Sequence, residues 1–311
     1  MFSNEKINGE DLLTRPWAVC LGAVLCCLLW GSAFPMIKIG YRLFGIASAD
    51  AASQILFAGC RFTLAGILAL IMGSIGRRRI LRPAAGLLPN IFLLCLLQTV
   101  LQYLFFYIGL AHTTGLKASI IGGVNTFISI LVASLIFRQE KLSGAKILGC
   151  LFGFAGVVLV NLSGMDLQFG LTGEGFILIS TVAAAFSSVY LKRLSAREDP
   201  VTLSGSQFVM GGLIMIAAGL AMGGRLTFGS PACYGVLAYL GFLSAAAYSV
   251  WGILLAHNPV SKVTVYFCMN PIFGVILSAL LLGEQQTSSP AACLAALALV
   301  CLGIYIVNRP R

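Results

Sequence analysis

The chain has 311 residues, 59% of them hydrophobic and only 10% charged, with a formal net charge of +10. A soluble domain of this length needs far more charge on its surface, so the composition excludes an ordinary cytosolic fold. The basic excess does not mark a nucleic-acid binder, because the charges sit in short segments between apolar runs, where they report membrane topology.

The apolar runs lie at about 18–37, 52–75, 87–111, 118–137, 144–162, 174–191, 201–222, 232–256, 263–282 and 290–307. Each is about as long as a helix must be to cross a hydrocarbon core of about 30 Å. Alternation of period two is absent, and lipid tolerates only structures that close their own hydrogen bonds, so helices are expected. Ahead of the first run, Glu5, Glu10 and Asp11 do not make the basic start of a signal peptide, so that run is expected to be retained.

Run 1 contains Trp30-Gly31-Ser32-Ala33-Phe34-Pro35, with Lys38 just beyond. Gly and Pro this close together weaken the helical ladder and permit a kink, which lets Ser32 and freed carbonyls face a polar cavity. The bland alternative makes Gly31 a close-packing position and Pro35 a bend. Trp30 suits stacking on a substrate, and Lys38 is expected to snorkel to the interface. Run 2 carries Arg61 about ten residues in. An ionisable group at that depth is either a structural cation, the reading the sequence favours, or a partner for a substrate anion.

Run 3 carries Gln98, Gln102, Tyr103 and Tyr107. Run 8 carries Tyr248 and Trp251, aromatic walls for an apolar substrate group or simple core packing. Asn125 in run 4 and Asn270 in run 9 lie deep enough that each amide needs a partner. Pro271 breaks the ladder beside Asn270, whereas Thr126 follows Asn125. An amide beside a broken helix suits a midplane substrate site, while the plain reading is glue between helices. In runs 5 and 7, Gly149 with Gly153 and Gly219 with Gly223 read as packing motifs. Run 6 offers Ser180, Thr181, Ser187, Ser188 and Tyr190.

Two segments echo each other at one constant offset. Leu110-Ala111-His112, Lys117 and Asn125 match Leu255-Ala256-His257, Lys262 and Asn270, and Tyr103 matches Tyr248. Ser134 with Glu140 returns as Ser278 with Glu284, and Gly156 to Asn161 as Gly303 to Asn308. Repetition of a long helical unit is the trace of a duplicated transporter. The natural divide is 163–173, with five runs on each side. Five is odd, so the second half enters the membrane from the opposite face. The expected fold is therefore all-α, integral to the membrane, with ten transmembrane helices as two inverted five-helix repeats at 17–162 and 173–307.

With the N-terminus inside, the cytoplasmic segments hold fifteen Lys and Arg residues, among them Arg77, Arg78, Arg79, Arg82, Arg138, Lys141, Lys192 and Arg193. The outer segments hold four, Lys38, Arg42, Lys117 and Arg225. That bias places both termini in the cytoplasm of a multi-pass inner-membrane protein. No Asp or Glu falls in the middle of a run, so ion coupling is not visible. The ten cysteines form no C-x-x-C pair and no metal spacing, and no P-loop appears. No catalytic cluster, metal or cofactor is expected, and the partners are the lipid bilayer and a small-molecule substrate.

The pattern resembles the EamA-type members of the drug/metabolite transporter superfamily. The likeness rests on W-G-S-A-F-P at 30–35 with Lys38, R-F-T-L-A-G at 61–66, and G-L-A-H-T-T at 109–114 running into K-A-S at 117–119. It continues from Ser134 through Glu140 to Gly149 and Gly156, and returns in N-P at 270–271, Gly283-Glu284 and Gly303. Thr126 departs from the Pro such proteins often carry there. The resemblance implies a helical basket around a central cavity, alternating access, and export or exchange of small metabolites, often amino acids. Multidrug and sugar-phosphate or nucleotide-sugar transport are the alternatives, with a membrane enzyme behind them. The candidate substrate contacts are Trp30, Ser32, Tyr103, Asn125, Tyr248, Trp251 and Asn270, with Arg61 as structural or anion-binding charge. Oligomeric state is left open.

Overall fold

The computed structural model describes residues 9–47, 49–113, 118, 121–160, 170–282 and 290–309, and among them the regular structure is entirely helical. Lys117, Asn161 and Glu284, three members of the sequence echo, lie outside the described residues. A short helical segment, Gly9–Thr14, leads into α1 (Pro16–Phe44), α2 (Ala51–Gly76), α3 (Ala85–Leu110), α4 (Ile121–Ile136) and α5 (Gly144–Val160). Then follow α6 (Leu171–Leu194), α7 (Pro200–Ala221), α8 (Pro231–His257), α9 (Val260–Leu282) and α10 (Pro290–Asn308). Among the described residues, seven helices (α1, α2, α3, α6, α7, α8 and α9) are long and apolar enough to cross a membrane. The stretches counted in α4, α5 and α10 are apolar but shorter.

Local chemistry sets the helix ends. Pro16, Pro200 and Pro231 open α1, α7 and α8 in the first turn, where a missing N–H leaves nothing unpaired. The α1 helix runs past Lys38 and Arg42, further than the sequence suggests, and stops at Gly45 in a left-handed conformation with φ +67°. Asp50 starts α2 by accepting the Ser53 N–H at 3.0 Å, and those hydrogen bonds from Ser53 hold its carboxyl below the usual carboxylate range.

Helices in lipid gain nothing from hiding apolar surface from one another, so close backbone approach through small residues does the packing. The α2–α7 seam uses Gly59, Gly66, Gly205, Gly212 and Gly219. A Cβ on Gly66 would stand 2.6 Å from Gly205 O, and one on Gly219 would stand 2.7 Å from Leu56 N. The α5–α10 seam repeats the device, with a Cβ on Gly149 falling 2.6 Å from Gly303 O. Gly223 plays a different part from the one its spacing suggests. It lies beyond the end of α7 with φ +86°, a turn position rather than a packing one. Outside these seams Leu21, Ile75, Leu135, Leu148, Leu280 and Leu294 are exposed, as lipid-facing side chains should be.

Elsewhere α1 lies against α8 and α9, and α6 lies against α3 and α4. Tyr103 of α3 meets Tyr248 of α8, hydroxyl to hydroxyl at 2.7 Å, and Thr126 of α4 donates to Thr264 O of α9 at 3.0 Å. One end of the bundle gathers the Arg77–Asp199 ion pair, the Ala84 N–H bonded to Glu198, and Glu140. The other end carries the α1–α2 and α7–α8 connections, tied by the Arg225 N–H donating to Ser53 Oγ at 2.9 Å.

Candidate functional site

A cavity of about 560 Å³ opens among α1, α2, α3, α4, α6, α8 and α9. Among these, α2 enters because Arg61 and Gln54 both line the space. Around it the helices depart from α-geometry. In α3 the stretch Leu96–Leu101 widens to π-helix, and in α9 the stretch Val265–Met269 tightens to 3₁₀ just before Asn270 and Pro271. Pro271 supplies no N–H and crowds the carbonyl one turn earlier, which accounts for the altered winding there.

Seven of the eight residues singled out in the sequence line this one space: Trp30, Arg61, Tyr103, Asn125, Tyr248, Trp251 and Asn270. Trp30 stands edge-on to Tyr248 at 5.1 Å and to Trp251 at 5.0 Å between ring centroids, and to Phe267 at 5.8 Å. Such edge contacts fix ring orientation. Ser32 is the exception. Its hydroxyl donates to Leu29 O at 2.7 Å and pairs with the Tyr239 hydroxyl at 2.7 Å, and it is absent from the cavity wall. The carbonyl one turn back satisfies it, as is common for Ser within a helix. Gly31 is a close-packing position against α9, where a Cβ would fall 2.7 Å from Phe273 Cβ.

The two asparagines differ. Asn125 Nδ2 donates to Thr181 O at 3.3 Å, and its Oδ1 accepts from Ser129 Oγ at 3.2 Å. Asn270 is 8% exposed, and its Oδ1 has no partner. Arg61 is 2% exposed and donates through Nε and Nη2 to the single oxygen of Ser244, at 3.2 and 3.1 Å. That bond fits the structural role the sequence favours, yet the same side chain lines the cavity and its Nη1 has no partner.

Several lining residues fall outside the sequence-derived set. Lys38, expected at the interface, lines the cavity because α1 continues past it. Tyr41, Phe106 and Phe267 add aromatic wall, and Gln54, Gln98 and Gln102 add amides. The four-residue spacing of Gln98 and Gln102 was their only signal. Nothing marked Tyr41 or Gln54, which enter through the ends of α1 and α2. Among the described residues no Asp or Glu lines the cavity.

The cavity's two ends differ as well. Toward the α1–α2 connection it reaches Ala49 and Gln54. At the opposite end Glu140 accepts from Ser261 N at 3.2 Å and from Ser261 Oγ at 2.8 Å, and it pairs with Lys146 at 3.2 Å. Lys192 Nζ donates to Leu255 O at 2.8 Å and also to Asn258 O. These bonds tie α6 and the start of α5 to the α8–α9 junction, at the end holding the basic loops.

Comparison with known proteins agrees with this architecture. The profile of the EamA-like transporter family matches residues 17–162 and 171–309. The chain is 28% identical to an uncharacterized transporter of Archaeoglobus fulgidus, over 96% of this chain and 100% of that one. It is 28% identical to the uncharacterized inner membrane transporter YedA of Escherichia coli, over 90% and 89%. It is 26% identical to a probable terminal-alkyne amino-acid exporter of Streptantibioticus cattleyicolor, over 94% and 93%. One solved crystal structure superposes with a TM-score of 0.73 over 94% of this chain and 97% of that chain, at 18% identity, a likeness of fold alone.

Proposed function

Because the chain belongs to the EamA-like transporter family, a membrane transporter fold built of apolar helices, we propose that it is a secondary transporter that moves small metabolites, amino acids or related compounds, by alternating access. The observation that carries the reading is the cavity. It is large enough for an amino-acid-sized solute, walled by aromatic rings, and supplied with convergent amides from α3, α4 and α9. The similarity to a probable amino-acid exporter leans the same way.

In this reading ten helices form two inverted repeats, divided between 162 and 171. The reading draws support from the pairing of helices: α1 against α8 and α9, α6 against α3 and α4, and the echoed tyrosines bonded to each other. The end with the basic loops faces the cytoplasm, following the positive-inside rule. The cavity then faces outward, and the Glu140–Ser261 contact closes the inner side. Rocking of one repeat against the other breaks that contact and exposes the site inward. Asn270 offers its amide to the solute, and Trp30, Trp251 and Tyr248 pack against the solute's apolar part.

The test is counterflow. Purified protein in liposomes preloaded with a mixed pool of amino acids should accelerate uptake of at least one labelled amino acid, without an imposed pH gradient. Movement of a sugar phosphate or a lipophilic cation instead would put the protein in another branch of the superfamily. No movement of any solute by folded protein would end the transporter reading.

A further inference from the structure

Arg61 is the most costly side chain in the cavity wall. It is 98% shielded from solvent, near the middle of α2, and stands among Tyr41, Tyr103, Tyr107 and Tyr248. A guanidinium in such surroundings is stable when its charge is matched and its donors are filled. The protein meets neither condition in full. Nε and Nη2 share one neutral oxygen, Ser244 Oγ, and the Phe62 ring lies 4.7 Å from the guanidinium carbon. Nη1 and the Tyr41 hydroxyl make no hydrogen bond of good geometry, although the Tyr107 hydroxyl lies close to both side chains. Among the described residues no carboxylate lines the cavity, while a second cation, Lys38, does. The described wall of the cavity is therefore cationic and aromatic.

We propose that Arg61 is the anion anchor of the site: the solute carries a carboxylate that pairs with the free arm of the guanidinium, and an apolar group that packs against Trp30 and Phe267. The proposal rests on the transporter reading for its use and on the cavity alone for its chemistry. Ser244 is the positioning partner, holding the Nε and Nη2 donors and leaving Nη1 for the solute. Guanidinium–carboxylate pairing is directional and strong where water is scarce. An isosteric neutral solute leaves Nη1 unpaired, and a cationic one adds repulsion. The unpartnered Asn270 Oδ1 is an acceptor available to an ammonium group, which suits a zwitterion as well as a simple acid.

The test uses the purified full chain in detergent and the fluorescence of its tryptophans, two of which, Trp30 and Trp251, line the cavity. The probes are 3-phenylpropionate and its isostere 3-phenylpropanamide. The acid should bind at least about tenfold tighter than the amide. Arg61→Gln should erase that preference, Arg61→Lys should keep part of it, and Lys38→Gln should weaken acid binding while keeping the preference. Equal binding of acid and amide overturns the proposal, as does no binding of the acid. A preference that survives Arg61→Gln and disappears in Lys38→Gln also overturns it and moves the anchor to Lys38. If Arg61→Gln does not fold, the acid–amide ratio in the unmodified protein and in Arg61→Lys still decides. Liposome counterflow separates this claim from the transporter reading. Transport that ignores the carboxylate sinks the anchor alone. Arg61-dependent binding without transport of any solute sinks the transporter reading alone.

Discussion

Asn125 and Asn270 occupy matching places in the two halves of the sequence, and the structure uses them differently. Asn125 is held at both ends of its amide by Thr181 O and Ser129 Oγ, so it ties α4 to α6. Asn270 sits where α9 changes from 3₁₀ to α-helix beside Pro271, and its Oδ1 is unpaired. An unpaired buried acceptor costs about 1–3 kcal/mol. Both asparagines line the cavity and are almost equally buried, so the difference lies in their partners: Asn125 finds them within the bundle, and Asn270 Oδ1 does not. In the proposed function the same residue type serves packing at 125 and solute binding at 270.

The largest effect should follow from Asn270→Ala. It removes the amide whose Oδ1 is left unpaired and which the proposed function offers to the solute, so transport should fall about tenfold or more with folding untouched. Initial rates in liposomes, normalised to inserted protein, measure this. Asn125→Ala should do the reverse. It strands Thr181 O and Ser129 Oγ, lowering stability by about 1–2 kcal/mol, while transport per folded molecule stays within a few-fold of wild type. Thermal melting in detergent reads that difference. Between the halves, Tyr103→Phe and Tyr248→Phe should each cost about 1 kcal/mol. The double variant should cost little more than either single one, because both changes break the same 2.7 Å bond.

The smallest effect lies away from both asparagines. Asp50→Ala removes the cap of α2 and should cost about 0.5–1 kcal/mol at neutral pH. Hydrogen bonding lowers the folded-state pKa of Asp50, so this stabilisation is present above the unfolded carboxylate pKa, about 3.9. It is lost as pH falls through the folded value. The gap between wild type and variant should therefore close in acid, as melting curves at pH 7 and below pH 4 would record.

Much of this was legible in the amino acids. Apart from the far end of α1, the apolar runs located the helices to within a few residues, and the echo of Tyr103 in Tyr248 found two side chains that touch. Trp30, Arg61, Asn125, Trp251 and Asn270 stood out as polar or aromatic groups at helix depth, and the fold brings all five to one cavity. Ser32 did not follow, because a serine's direction depends on which neighbour reaches it, and Tyr239 comes from a distant helix. Lys38 and Tyr41 were missed because a charged stretch looked like a loop, whereas α1 continues to a left-handed Gly45, and Gln54 carried no signal at the start of run 2. The π-helical stretch of α3 has no signature in hydropathy. Just beyond it α3 meets α6, where Ser180 Oγ donates to Gln102 O at 2.6 Å.

The most direct measurement sets wild type, Asn270→Ala and Asn125→Ala side by side in amino-acid counterflow, with a melting temperature for each. The account predicts a collapsed rate with an unchanged melting temperature for Asn270→Ala, and a lowered melting temperature with a retained rate for Asn125→Ala. Wild-type transport by Asn270→Ala, or the same defect in both variants, would contradict it.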